Sequence, residues 1–178
     1  GSGPDADRIP GIDTKVDDGD EFLFGDHSVK VFDVSGHTIG HIAFHFADSD
    51  ILFSGDALFS LGCGRLFEGT PAQMWQSLSK LIKLPDNTIV YCAHEYTQAN
   101  AAFALSVEPE NEALQARSKE IDELRASGKP TVPSLLGLEK ATNPFLRPTS
   151  PALQRNLGLQ GADLTEVFAE TRRRKDNF

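Results

Sequence analysis

The chain has 178 residues, 39% of them apolar and 24% charged, the composition of a globular protein rather than a disordered one. No run approaches the ~18 consecutive apolar residues of a membrane span, so no membrane partner is expected. The net charge of −9 lies entirely in residues 1–60, which hold 12 acidic and 3 basic side chains and would repel a nucleic-acid backbone.

Taken in chain order, the opening Gly1-Ser2-Gly3 reads as an expression scar or a truncation point and is set aside. Asp5, Asp7, Asp17, Asp18 and Asp20 form a solvated acidic stretch without EF-hand spacing. Glu21–Phe24 and Val29–Asp33 flank Gly25-Asp26 as a hairpin, with His27 facing solvent. Ile42, Phe44 and Phe46 alternate with Ala43 and His45, a half-buried strand that puts His45 on the polar side. Ile51–Ser54 and Thr88–Cys92 are two further strands. Between them Thr70, Pro71 and Gln73 announce a helix whose apolar stripe is Met74, Trp75, Leu78, Leu81 and Ile82, stopped by Pro85. From Thr97 the character turns helical: Ala101–Val107, then a segment with Leu114, Ile121 and Leu124 ended by Gly128 and Pro130. Residues 128–151 hold five of the ten prolines and read as a loop. A last helix over Asp163–Lys175 ends in Arg172-Arg173-Arg174-Lys175, either a solvated face or an anchor for an anionic ligand. Cys63 and Cys92 read as packing residues in a reducing compartment, the cytoplasm or an organellar matrix.

Three segments put candidate metal ligands at strand ends. They are Ser35-Gly36-His37-Thr38-Ile39-Gly40-His41, Phe53-Ser54-Gly55-Asp56-Ala57-Leu58 and Tyr91-Cys92-Ala93-His94-Glu95-Tyr96. Imidazole and carboxylate together suit zinc, iron or manganese rather than calcium. Each segment alone is weak, because a single His in a turn is more often structural. His41 is read as supporting the motif rather than ligating. The order of the three, each at a strand end, is a stronger signal.

These segments resemble the second half of the metallo-β-lactamase superfamily, an α/β fold built as an αβ/βα sandwich with its metal site at the sheet edges. Gly62-Cys63-Gly64-Arg65-Leu66-Phe67-Glu68-Gly69-Thr70, His94-Glu95-Tyr96-Thr97, Val107-Glu108-Pro109, Pro130-Thr131-Val132-Pro133-Ser134 and Asn143-Pro144-Phe145-Leu146-Arg147 narrow the likeness. They resemble the hydroxyacylglutathione hydrolases, or glyoxalase II. The resemblance implies a metallo-β-lactamase-like portion over residues 1–96, part of the catalytic domain. A small all-α, glutathione-binding domain then covers 97–178.

The resemblance further implies that His37 ligates one metal ion, His94 a second, and that Asp56 bridges them. These three are the expected catalytic and metal residues, for two divalent ions, zinc or else iron or manganese. Arg65, Tyr96, Arg172 and Lys175 are implied in glutathione binding, the last two on its glycyl carboxylate, as planar guanidinium forks suit carboxylates. Phe67 stands where some members have a tyrosine and lacks that hydroxyl. The implied reaction is hydrolysis of S-D-lactoylglutathione to D-lactate and glutathione by a metal-bound hydroxide, the second step of methylglyoxal detoxification. Two alternatives stand beside it: an iron-dependent glutathione-persulfide dioxygenase, and a non-catalytic glutathione-binding fragment.

The family's N-terminal HxHxDH segment has no counterpart here, since the five histidines are His27, His37, His41, His45 and His94. The chain is therefore expected to be a truncated form with one terminal ligand per ion plus the bridge. Such a chain would bind metal weakly, hydrolyse thioesters poorly or not at all, and self-associate through exposed sheet edges.

Overall fold

The computed structural model describes residues 1–178. Alternating apolar and polar residues in the first half form β1 (Glu21–Phe24), β2 (His27–Asp33), β3 (Ile42–Phe46), β4 (Ile51–Gly55) and a tight hairpin of β5 (Leu58–Phe59) and β6 (Gly62–Cys63). After α1 (Pro71–Leu81) and β7 (Ile89–Cys92) the chain becomes helical: α2 (Thr97–Val107), α3 (Glu112–Ala126), the short β8 (Ser134–Leu135), α4 (Leu136–Thr142), α5 (Pro151–Leu157) and α6 (Leu164–Asp176). The main sheet runs β1-β2-β3-β4-β7-β8. All its neighbours are antiparallel except β4 and β7, which are parallel. A parallel pair needs a crossover, and α1 supplies it. The architecture is α/β, with a helical C-terminal region.

Local chemistry explains why α1 starts where it does. The Thr70 hydroxyl accepts the Gln73 N–H (3.3 Å) while the Gln73 side chain accepts the Thr70 N–H (2.8 Å), with Pro71 at the first helical position. Met74, Leu78 and Leu81 are buried against the sheet, and Trp75 stacks on Phe168 of α6 with ring centroids 6.1 Å apart.

Strand β3 takes the opposite face from the one its phenylalanines suggest. Ala43 and His45 are buried, while Ile42, Phe44 and Phe46 are half-buried. The helices cover the Ala43, Leu52 and Val90 face, where a small residue lets them approach closely. The aromatic face remains partly open, with Phe22 against Phe44, Phe46 against Phe53, and Phe53 stacked on Tyr91. His45 is thus an inward residue, not one on the polar side, and burial pushes its pKa down.

Residues 128–151 are not a plain loop either. Their prolines lie at element boundaries, with Pro144 and Pro151 opening short helices, so β8 and α4 fit between them. One core joins the two halves: Leu52, Met74 and Val90 from the first pack with Phe103, Leu136, Phe145 and Phe168 from the second. No helix is long and apolar enough to cross a membrane.

Candidate active site

Strand ends carry the three candidate ligands to one place. Strand β4 stops at Gly55, whose φ of +55° turns the chain so that Asp56 leaves the sheet; a Cβ there would lie 2.5 Å from His41 Nε2. The same His41 Nε2 accepts the Asp56 N–H at 2.8 Å, which requires a neutral ring, and burial, the largest influence on it, lowers the His41 pKa accordingly. Gly64 closes the site from the other side, where a Cβ would sit 2.1 Å from the Asp56 carbonyl oxygen and 3.1 Å from the His37 ring.

His37 Nδ1 lies 2.8 Å from the Arg65 carbonyl oxygen. A carbonyl only accepts, so Nδ1 carries the proton and the Nε2 lone pair faces Asp56 Oδ2 at 3.9 Å. His94 Nε2 stands 3.1 Å from Asp56 Oδ1, outside hydrogen-bond geometry, and that buried oxygen has no hydrogen-bond partner. A carboxylate with an unsatisfied buried oxygen between two imidazoles, one with its tautomer fixed, is the donor chemistry of a divalent transition-metal site. No three of these donors are gathered closely enough to hold one ion by themselves, so the fit rests on the unpartnered Asp56 Oδ1 and the two imidazoles beside it.

A cleft of about 560 Å³ extends from these donors to α6 and is lined by all eight residues singled out in the sequence. Phe67 and Tyr96, both exposed, flank its mouth. The Phe67 ring lies 4.9 Å from the His37 ring, and Tyr96 stacks on His94 at 4.8 Å. At the far end Arg65 is exposed, whereas Lys175 is tucked between the Phe103 and Phe178 rings with Nζ donating to the Ala99 carbonyl (3.1 Å). Desolvation, then Arg172 and Arg65, lower the Lys175 pKa.

Arg172 is the least accessible of the eight, its side chain 5% exposed. Its Nη1 donates to the Cys63 carbonyl at 3.0 Å, and its other nitrogens are engaged by Asp176. Sequence reasoning alone does not single out Asp176, Phe59 and Phe178, all on the cleft wall. The four-residue spacing from Arg172 to Asp176 on a helix is the available signal for the first. The β5–β6 hairpin that carries Phe59 offers none.

Residues 2–94 match the family described as Metallo-beta-lactamase superfamily, and residues 95–178 match Hydroxyacylglutathione hydrolase C-terminus. A hydroxyacylglutathione hydrolase of Ruegeria pomeroyi is 61% identical over 178 residues, 100% of this chain and 70% of that protein. The chain belongs to the hydroxyacylglutathione hydrolase family. Another hydroxyacylglutathione hydrolase, from Rhizobium etli, is 60% identical over 98% of the chain and 68% of its own length. Among solved structures, ETHE1 from Myxococcus xanthus matches 93% of this chain and 53% of its own, with a TM-score of 0.59. At 23% identity that is a likeness of fold alone. TTHA1623, solved in a di-iron-bound form, is 28% identical with a TM-score of 0.51, over 77% of this chain and 50% of that one. The chain is thus a thioester hydrolase by family, in a superfamily whose members bind divalent metals.

Proposed function

We propose that the cleft hydrolyses S-D-lactoylglutathione to D-lactate and glutathione. The observation that carries this reading is a single cleft with an imidazole–carboxylate–imidazole set at one end and cations at the other. A glutathione thioester has the matching ends, a reactive acyl group and a terminal carboxylate. In this reading the exposed Arg65, Lys175 and, behind them, Arg172 attract the carboxylate, while the Phe67 and Tyr96 rings flank the cysteinyl portion. His37, Asp56 and His94 would hold two divalent ions, Asp56 between them, and the ions supply Lewis acidity and an activated water at neutral pH. His41, through the Asp56 N–H, fixes the loop that presents the bridging carboxylate. Water adds to the thioester carbonyl, the C–S bond breaks, and the sulfur leaves as thiolate.

Neither cysteine competes as the nucleophile. Burial raises the Cys63 thiol to about 11 and the Cys92 thiol above its ordinary value, so both stay protonated near neutrality. Zinc, iron and manganese are the candidate ions, and the di-iron-bound form of TTHA1623 supports keeping iron among them. The two free thiols suit a reducing compartment, and the cytoplasm is the location we propose.

The test follows thioester absorbance with S-D-lactoylglutathione while zinc, iron or manganese is titrated in. Turnover, low because each ion finds few protein ligands in this chain, should rise with added metal, stop with chelator, and be lost in Asp56→Asn. Metal-independent turnover, or turnover unchanged in that variant, overturns the reading.

A further inference from the structure

The cationic end of the cleft holds a carboxylate of its own. Arg172 Nε donates to Asp176 Oδ1 at 3.0 Å, Nη2 stands 2.8 Å from the same oxygen, and Arg65 Nε is 3.9 Å away. With Nη1 given to the Cys63 carbonyl, every nitrogen of the Arg172 guanidinium is engaged. The Nε/Nη2 edge of the guanidinium is therefore closed to an entering carboxylate while Asp176 stays in place, and its other edge shares Nη1 with the Cys63 carbonyl. Asp176 is the last residue of α6, where the helix dipole disfavours a negative charge, and its side chain is 39% exposed and free to swing into solvent. Arg172 does not depend on it for position. The Cys63 carbonyl and the Phe145 ring, 5.0 Å from the guanidinium carbon, hold the side chain from the other side.

We propose that Asp176 is an internal competitor of the substrate: its carboxylate occupies Arg172 in the free protein and yields it when an anionic ligand enters the cleft. The role sets how strongly the site holds carboxylate-bearing ligands, product glutathione included. It rests on the reading of the cleft as a glutathione-thioester site. The opposite role, in which the i,i+4 pair merely orients Arg172 for the ligand, predicts the opposite sign on removal of the charge.

Calorimetric titration with S-hexylglutathione, in the presence of chelator, separates the two for wild type and Asp176→Asn. The variant should bind about three- to tenfold more tightly, with the gain shrinking as ionic strength rises. The gain should vanish for S-hexylglutathione amidated at its glycyl carboxylate. Glu170→Gln serves as the control, because it removes one negative charge from the same helix at a residue paired to Arg173 and Arg174 outside the cleft. It should bind within about twofold of wild type. Equal or weaker binding by Asp176→Asn, or the same gain in Glu170→Gln, overturns the proposal while wild-type binding keeps the site reading intact. Failure of the wild type itself to bind S-hexylglutathione defeats that reading, and this proposal falls with it.

Discussion

His37 becomes a ligand candidate through a backbone carbonyl. The Arg65 oxygen takes the Nδ1 proton and leaves Nε2 aimed at Asp56, a constraint set by a residue 28 positions away. His41, four residues on, is directed oppositely: its Nε2 is spent on the Asp56 N–H. Asp56→Asn should therefore weaken metal binding, measured by calorimetric titration of zinc into the chain, without changing far-UV circular dichroism. His41→Ala should weaken it too, because Asp56, the proposed bridge, loses the support of its backbone N–H, although the His41 Nε2 that gives this support is not offered to an ion. Phe67 offers a gain instead. Phe67→Tyr puts a hydroxyl at the cleft mouth and should lower KM for the glutathione thioester about three- to tenfold with kcat nearly unchanged, the signature of uniform binding.

Among the elements, α1 is legible in the sequence because its cap is local. Thr70→Ala should cost about 1 kcal/mol in urea unfolding. The β5–β6 hairpin is not legible there, because what holds it lies far along the chain. Leu61 sits in it at φ +56°, a conformation costly for a branched side chain, with its N–H accepted by Glu139 (2.8 Å). Asn143 donates to the Phe59 and Gly62 carbonyls at 3.2 and 3.0 Å, and the buried Arg117 pairs with Glu139. Asn143→Ala removes these buried side-chain bonds and should destabilise by about 1–3 kcal/mol, read from urea unfolding. On α6, Arg173 first and then Arg174 hold the Glu170 carboxyl down to about 2, against an ordinary 4.5. A depressed carboxylate pKa stabilises above the ordinary value and loses that contribution as pH falls through the folded one. The Tm gap between wild type and Glu170→Gln should thus be open at pH 7 and close between pH 4.5 and about 2.

At the scale of the molecule, the sheet and the helical region share one core and one inter-half strand pair, β7 with β8. Trp75, the single tryptophan, stacks across that boundary on Phe168. Its fluorescence and the far-UV signal should report the same denaturation midpoint, and Phe145→Ala should shift both together, for a loss of about 3–5 kcal/mol in unfolding free energy. Separate midpoints would show two independently folding domains. Three donors are few for two ions, since a catalytic zinc usually takes three protein ligands of its own. Metal should accordingly leave the 178-residue chain on dialysis, and two ions retained per chain would contradict that.

By itself the sequence determined the capped helix, the edge hairpin, the order of the strand ends that carry candidate ligands, and the eight residues that meet in the cleft. Each depends on near neighbours along the chain or on a pattern carried whole by the family's motifs. Tertiary structure alone decided which face of β3 is buried, that β8 and α4 form within the proline-rich stretch, and that the Cys63 carbonyl holds Arg172 Nη1. Period-two alternation is the same for either face of a strand, so only the helices packing on Ala43 fix which is inside. The anchoring of a guanidinium likewise depends on which carbonyl the fold brings to it, and Cys63 lies 109 residues from Arg172.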